Sequence, residues 1–256
     1  MAEIDQPVNE GSISQTEEKS PGGWSLLVDV IARPVPAFEA IARWQGVKWL
    51  LPALLVILTT VITLAVSAPY MVEEAKRQFQ MQLLSMPPEQ AEMVKAQAEQ
   101  FMSPRFIMIT GSLSAVVIQG LMWLLMAGAL YFLALLAGGD VTFGAAWAMT
   151  PWLTLPFAVR NVVTAMWIYT QQSMITYSGL GALVATGDLA VDSRNPWVAL
   201  LSQVDPFGLW HAILVYAAFR GGFNMSRRAS LVLAGVYVGL MLGISTVPVF
   251  LGRIFG

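Results

Sequence analysis

Residues 106–157 read FIMITGSLSAVVIQGLMWLLMAGALYFLALLAGGDVTFGAAWAMTPWLTLPF. From Phe106 to Ala137 no residue is charged, and Gln119 is the only amide. An uncharged apolar run of about 18 or more residues reads as a membrane span, not as a soluble core helix. The run breaks at Gly138-Gly139-Asp140 and resumes as a second apolar segment carrying Pro151 and Pro156. Two apolar helices joined by so tight a turn form an antiparallel hairpin in the bilayer. The rest of the chain is read outward from that hairpin.

Composition points the same way. Hydrophobic residues make up 56% and charged residues 12% of the 256; soluble domains average roughly 45–50% and 25%. Mean hydropathy is +0.63. A net charge of -2 and the absence of a basic run argue against a nucleic-acid partner. There is no cysteine, so disulfides, thiolate metal sites and cysteine nucleophiles are excluded, and the single histidine, His211, excludes a multi-histidine metal site. No motif for a zinc protease, a phosphate loop or a dinucleotide site occurs. Neither a cofactor nor catalysis is expected. The acidic, polar start lacks the positive charge and apolar stretch of a cleaved signal peptide.

Residues 1–23 are rich in Glu, Ser, Gln and Gly and are expected to form a disordered tail. From Trp24 the pattern becomes amphipathic. Trp24, Leu27 and Ile31 share one side of a first short helix; Phe38, Ile41 and Trp44 cluster on a second; Pro34 and Pro36 separate them. Such pieces suit either the membrane interface or a helical cap on the end of a bundle. The expected architecture is all-α: a polytopic membrane bundle with five spans at about 49–67, 106–137, 145–168, 206–219 and 231–247. The second is long enough to require tilt, and the prolines of the third predict a kink. Asp205-Pro206 opens the fourth as a cap and a first-turn proline. Between spans one and two, residues 70–103 form the longest charged region and are divided by Pro87-Pro88. They are expected to form an extramembrane helical hairpin, with Phe79 and Leu83 on one apolar stripe and Val94 and Phe101 on the other.

Three stretches carry a family resemblance. WSLLVDVIARPVPAFEAIA, GGDVTFGAAWAMTPWLTLP and DPFGLWHAILVYAAF, in this order and spacing, resemble the entry, the second-to-third-span turn and the fourth-span entry of the bacterial branch of the Yip1 domain family. The resemblance covers Trp24 to the end and departs at residues 70–103, which look like an elaborated first loop. It implies a five-span helical membrane protein. In eukaryotes the family is linked to membrane traffic and binds small GTPases and other membrane proteins. No residue here carries the GTPase partner over. The resemblance also implies a bacterial cytoplasmic (inner) membrane with the N-terminus in the cytoplasm. Arg33, Arg43, Lys48, Arg220, Arg227 and Arg228 would then lie inside.

Few residues invite a functional reading. Arg160 is the one ionised residue well inside an expected span; intramembrane charge costs a few kcal/mol and calls for a partner. Asp205 and a lipid phosphate both qualify, and snorkelling to the interface is the structural alternative. His211 is expected to pack, since no carboxylate accompanies it in its span. Asp140 reads as a turn and cap residue. Gly235, Gly239 and Gly243, four apart, form a small-residue groove down the fifth span, expected to be a packing seam against another helix of the chain or against a second protein. Together these features favour a membrane scaffold or adaptor. It would sit in the lipid bilayer and bind another membrane protein or a second copy of itself through its helices and charged hairpin. A subunit of a small-solute transporter is the alternative.

Overall fold

The computed structural model describes residues 22–43, 46–84, 86–87, 90–92, 94–95 and 103–255. The expected tail thus falls almost wholly outside the described residues. These fold as helices with no strand among them: α1 (Gly23–Ala32), α2 (Pro34–Ala42), α3 (Leu50–Leu84), α4 (Pro104–Leu136), α5 (Phe143–Leu153), α6 (Leu155–Gln171), a 3-10 turn (Gly179–Leu183), α7 (Leu189–Asp192), α8 (Pro196–Leu201), α9 (Pro206–Ala217), a π turn (Ala218–Gly222) and α10 (Arg227–Phe255). Among the described residues, three stretches are long and apolar enough to cross a membrane: Leu50–Leu84, Pro104–Leu136 and Arg227–Ile244. Less than a quarter of each apolar window is buried within the protein. Leu54, Leu58, Leu113, Leu121 and Val232 are each more than half exposed. A surface so apolar is solvated by lipid tails rather than water.

The turn between α4 and α5 follows from its glycines. Gly138 takes φ +79°, a conformation that costs glycine little. The Gly139 amide donates to the Ala134 carbonyl and the Gly138 amide to that of Leu135, which closes α4 in a Schellman motif. Thr142, not Asp140, then caps α5, its hydroxyl accepting from the Ala145 amide at 3.2 Å. Asp140 serves only the turn.

Other stretches depart from the expected boundaries. The span expected to end near Ser67 and the first arm of the 70–103 hairpin are one helix. α3 runs 35 residues, about 52 Å at 1.5 Å per residue, well beyond a hydrocarbon core of ~30 Å. Pro69 lies inside it without ending it. Burial of Ser67, Ala68 and Val72 anchors the helix on both sides of the proline, so packing outweighs the missing amide bond. The third expected span is two helices of 11 and 17 residues that meet at Thr154, and the fourth is a 12-residue helix continued by the π turn. On α1 the buried residues are Leu26 and Val30, whereas Trp24, Val28 and Ile31 are exposed. The helix therefore caps the bundle with one face and turns an apolar face outward with the other.

The core gathers around α5. Trp152, Met149 and Leu153 are fully buried among Phe38 of α2, Leu130 of α4, Leu214 of α9, Phe219 of the π turn and Tyr237 of α10. Gly221 and Gly222 bring the π turn close to α2 and α5. A Cβ on Gly221 would stand 2.0 Å from the Val35 carbonyl oxygen. Only glycine lets the π turn lie against the backbone of α2.

Candidate functional site: a cleft between α4, α6, α9 and α10

The helix break at Thr154 builds the site. Pro156 brings no amide donor to the ladder, and the Phe157 amide donates to the Thr154 carbonyl. The Leu153 carbonyl, which Phe157 would serve in an unbroken helix, is left for a side chain. His211 of α9 takes it: Nδ1 lies 2.8 Å from that oxygen. A proton on Nδ1 donates to the carbonyl, which leaves Nε2 as an acceptor. Trp123 of α4 holds the break from the other side, its Nε1–H donating to the Thr154 hydroxyl at 3.1 Å.

Beyond the break, the first turns of α6 present Phe157 and Arg160 to α9. Arg160 Nη1 donates to Asp205 Oδ2 at 2.9 Å. The Asp205 side chain is 8% exposed and that of Arg160 32%. The other carboxylate oxygen of Asp205 accepts from the Gly208 amide at 2.6 Å and so caps α9. Arg160 also lies over the Phe157 ring, 4.8 Å from its centroid, and the His211 ring packs against Phe157 at 5.0 Å. One phenyl ring thus borders both polar groups.

These residues bound a cleft of about 420 Å³. Met122, Met126, Leu209, Val238, Met241 and Leu242 make its apolar walls, while Arg160, Gln203 and His211 supply its polar groups. Gln203 and Val204 reach it from the end of the segment that joins α6 to α9. Asp192 organises that segment. It is 2% exposed, and its carboxylate accepts from the Tyr177 hydroxyl at 2.7 Å, the Thr186 amide at 2.9 Å, the Thr186 hydroxyl at 3.0 Å and the Gly187 amide at 3.0 Å. The Thr186 amide, ahead of the other donors, pulls its carboxyl below the usual carboxylate range despite burial. The bond to Asp192 pushes the Tyr177 phenol up. The Leu180 amide then ties the segment to the Val204 carbonyl at the cleft rim. Thr186-Gly187 followed by Asp188, the N-cap of α7, is the one local signal in the sequence that could have marked this node.

The remaining predicted residues lie elsewhere. Among the described residues, a Cβ on Gly235, Gly239 or Gly243 would meet nothing within 4 Å. No described residue of the chain packs into this groove. α10 buries Ser230, Ala234 and Tyr237 on one side, and at about 100° per residue the three glycines fall on the opposite side, where only Thr246 near the helix end is buried among the described residues. Phe79 and Leu83 are half-buried on the last turns of α3, and Val94 is half-buried in a short described piece of helix. Phe101 lies outside the described residues. Asn161, beside Arg160, joins α6 to α3: its amide donates to the Thr60 hydroxyl, and its carbonyl accepts from the Thr63 hydroxyl, both at 2.9 Å.

The Yip1 domain model matches residues 28–247, most of the chain, and the protein belongs to that family of membrane proteins. No curated protein and no solved structure matches the chain.

Proposed function

We propose that this Yip1-domain protein is a non-enzymatic membrane adaptor that docks other membrane proteins, or a second copy of itself, through the outer face of α10. The observation that carries the reading is the open groove at Gly235, Gly239 and Gly243, bordered by the exposed side chains of Val232, Val236 and Leu240. In lipid there is little hydrophobic drive between helices. Association relies on close backbone approach, which glycines permit. Conversely, the conspicuous polar groups are spent inside the chain: Arg160 on Asp205, Asn161 on α3, Asp192 on its own loop. None of these pairs sets a base beside a nucleophile. The alternative, a solute transporter subunit, draws support from the cleft but has few polar groups to line a path.

Gly239→Leu separates the outcomes. Adding a side chain into open space leaves the thermal stability of the isolated protein unchanged, while cross-linking in membranes to the partner or to a second copy is lost. A fall in the stability of the isolated protein would reject the reading. The proposed setting is a bacterial inner membrane with five crossings and a cytoplasmic N-terminus. Single cysteines at Gln82 and Ser226 test it: an impermeant reagent on intact cells labels the first and not the second.

A further inference from the structure

We infer that the cleft between α4, α6, α9 and α10 binds a neutral amphiphile with a hydroxyl-bearing head, of the long-chain alcohol or monoacylglycerol class, taken from the surrounding bilayer. The inference stands apart from the docking face on α10 and does not depend on it.

The shape comes first. A cleft of about 420 Å³ lies in the range of small-molecule sites, roughly 300–1,000 Å³. Its walls are methionine, leucine and valine side chains. The methionines are unbranched and adapt to a flexible chain. At the rim, Leu209 is 61% and Ile244 41% exposed, so the cleft opens through an apolar edge. An alkyl chain entering there leaves lipid tails for side chains of the same polarity and loses nothing by the transfer.

The polar groups select the head. His211 lines the cleft, and among the described residues its Nε2 makes no hydrogen bond. A donor entering the cleft would give that nitrogen a hydrogen bond. Arg160 spends one guanidinium nitrogen on Asp205, and its other N–H groups have no acceptor among the described residues. The site therefore offers an acceptor and donors, both bordering the Phe157 ring. A hydroxyl matches both, because it donates to one and accepts from the other.

Charge decides against an anionic head. Asp205 already neutralises Arg160 at 2.9 Å. A phosphate on Arg160 would set a second negative charge beside a carboxylate that is itself almost fully buried, where screening is weak. A neutral head satisfies the same donors without that repulsion.

The test uses the full chain in phosphatidylcholine nanodiscs doped with one of three probes: monooleoylglycerol, methyl oleate, which keeps the chain and lacks the hydroxyls, or lysophosphatidic acid, which adds a phosphate. Monooleoylglycerol is expected to raise Tm by about 5 °C at high occupancy, and the other two by much less. Ala212→Phe, which adds a ring to the cleft wall and removes no polar group, should weaken that response on the order of tenfold. If this variant does not fold, Val238→Phe fills the same space from α10. An equal response to methyl oleate or lysophosphatidic acid, an undiminished response in the filled variant, or no response to monooleoylglycerol would each overturn the inference.

Discussion

Asp205 and Asp192 are two nearly buried carboxylates thirteen positions apart, and they are solvated by different means. Asp205 sits at the head of α9, faces the one arginine of α6 and accepts a single amide at 2.6 Å. Asp192 has no cation among its described partners. Two backbone amides and two hydroxyls of its own loop surround it. The first is an ion pair joining two helices of the bundle; the second is a turn built around an anion. The pair fixes how α6 and α9 lie against one another. The loop carboxylate only fixes the path of a segment between them.

The sharpest way to break this contrast is to remove one member of the ion pair. At an effective dielectric of 20, unit charges about 4 Å apart attract by roughly 4 kcal/mol before desolvation. Loss of one partner leaves the other charge poorly solvated. Arg160→Gln or Asp205→Asn should each lower stability in detergent by about 2–4 kcal/mol. The double variant should lose clearly less than the sum. Asparagine still caps a helix, so the Asp205 effect reports the lost charge. Additive losses would show that the 2.9 Å contact contributes no coupling.

Asp192 should respond locally and to acid. Its folded carboxyl titrates below the unfolded value of about 3.9. The stability it contributes is therefore present above that value and is lost as pH falls through the lower folded one. Limited pepsin digestion on descending from about pH 5 toward about pH 2 should open the 177–192 segment before the bundle melts. Asp192→Asn, whose amide nitrogen cannot accept, should open the segment at pH 7 as well, with little change in the melting of the helices. Cleavage that spreads equally over the chain would mean that Asp192 holds more than its loop.

The two sites were not equally legible in the sequence. Arg160 stands out because charge is rare in an apolar helix, and Asp205-Pro206 is a capping signal with a local mechanism. The Gly138-Gly139 turn is likewise local: two backbone bonds and one positive φ account for it. Asp192 was hidden because half of its partners are backbone amides, which every residue but proline carries, and the Tyr177 hydroxyl lies 15 positions away. The run of α3 through Pro69 was hidden for a different reason. Proline's cost is local, whereas the packing of Ala68 and Val72 that outweighs it is tertiary. His211 shows both limits. A packing role was legible, but its bond to the Leu153 carbonyl depends on a helix break 58 positions away.

A third carboxylate completes the series and carries the smallest expected effect. Asp29 and Arg33 of the first helix pair across one turn at 2.6 Å, with side-chain exposures of 26% and 72%. The charges are the same as in the Arg160–Asp205 pair, and the contact is shorter. Distance alone would rank it above the interhelical pair. Solvent reverses that order. Water screens the exposed guanidinium, and ordering two long side chains offsets the remaining gain, so such pairs contribute about 0.2–1 kcal/mol. Arg33→Gln should shift thermal stability by no more than about 0.5 kcal/mol, and added salt should remove even that. The same measurement on Arg160→Gln should be nearly indifferent to salt. A large, salt-insensitive loss at Arg33 would mean that this end of α1 is shielded from water, with its charges lying where lipid rather than solvent sets the dielectric.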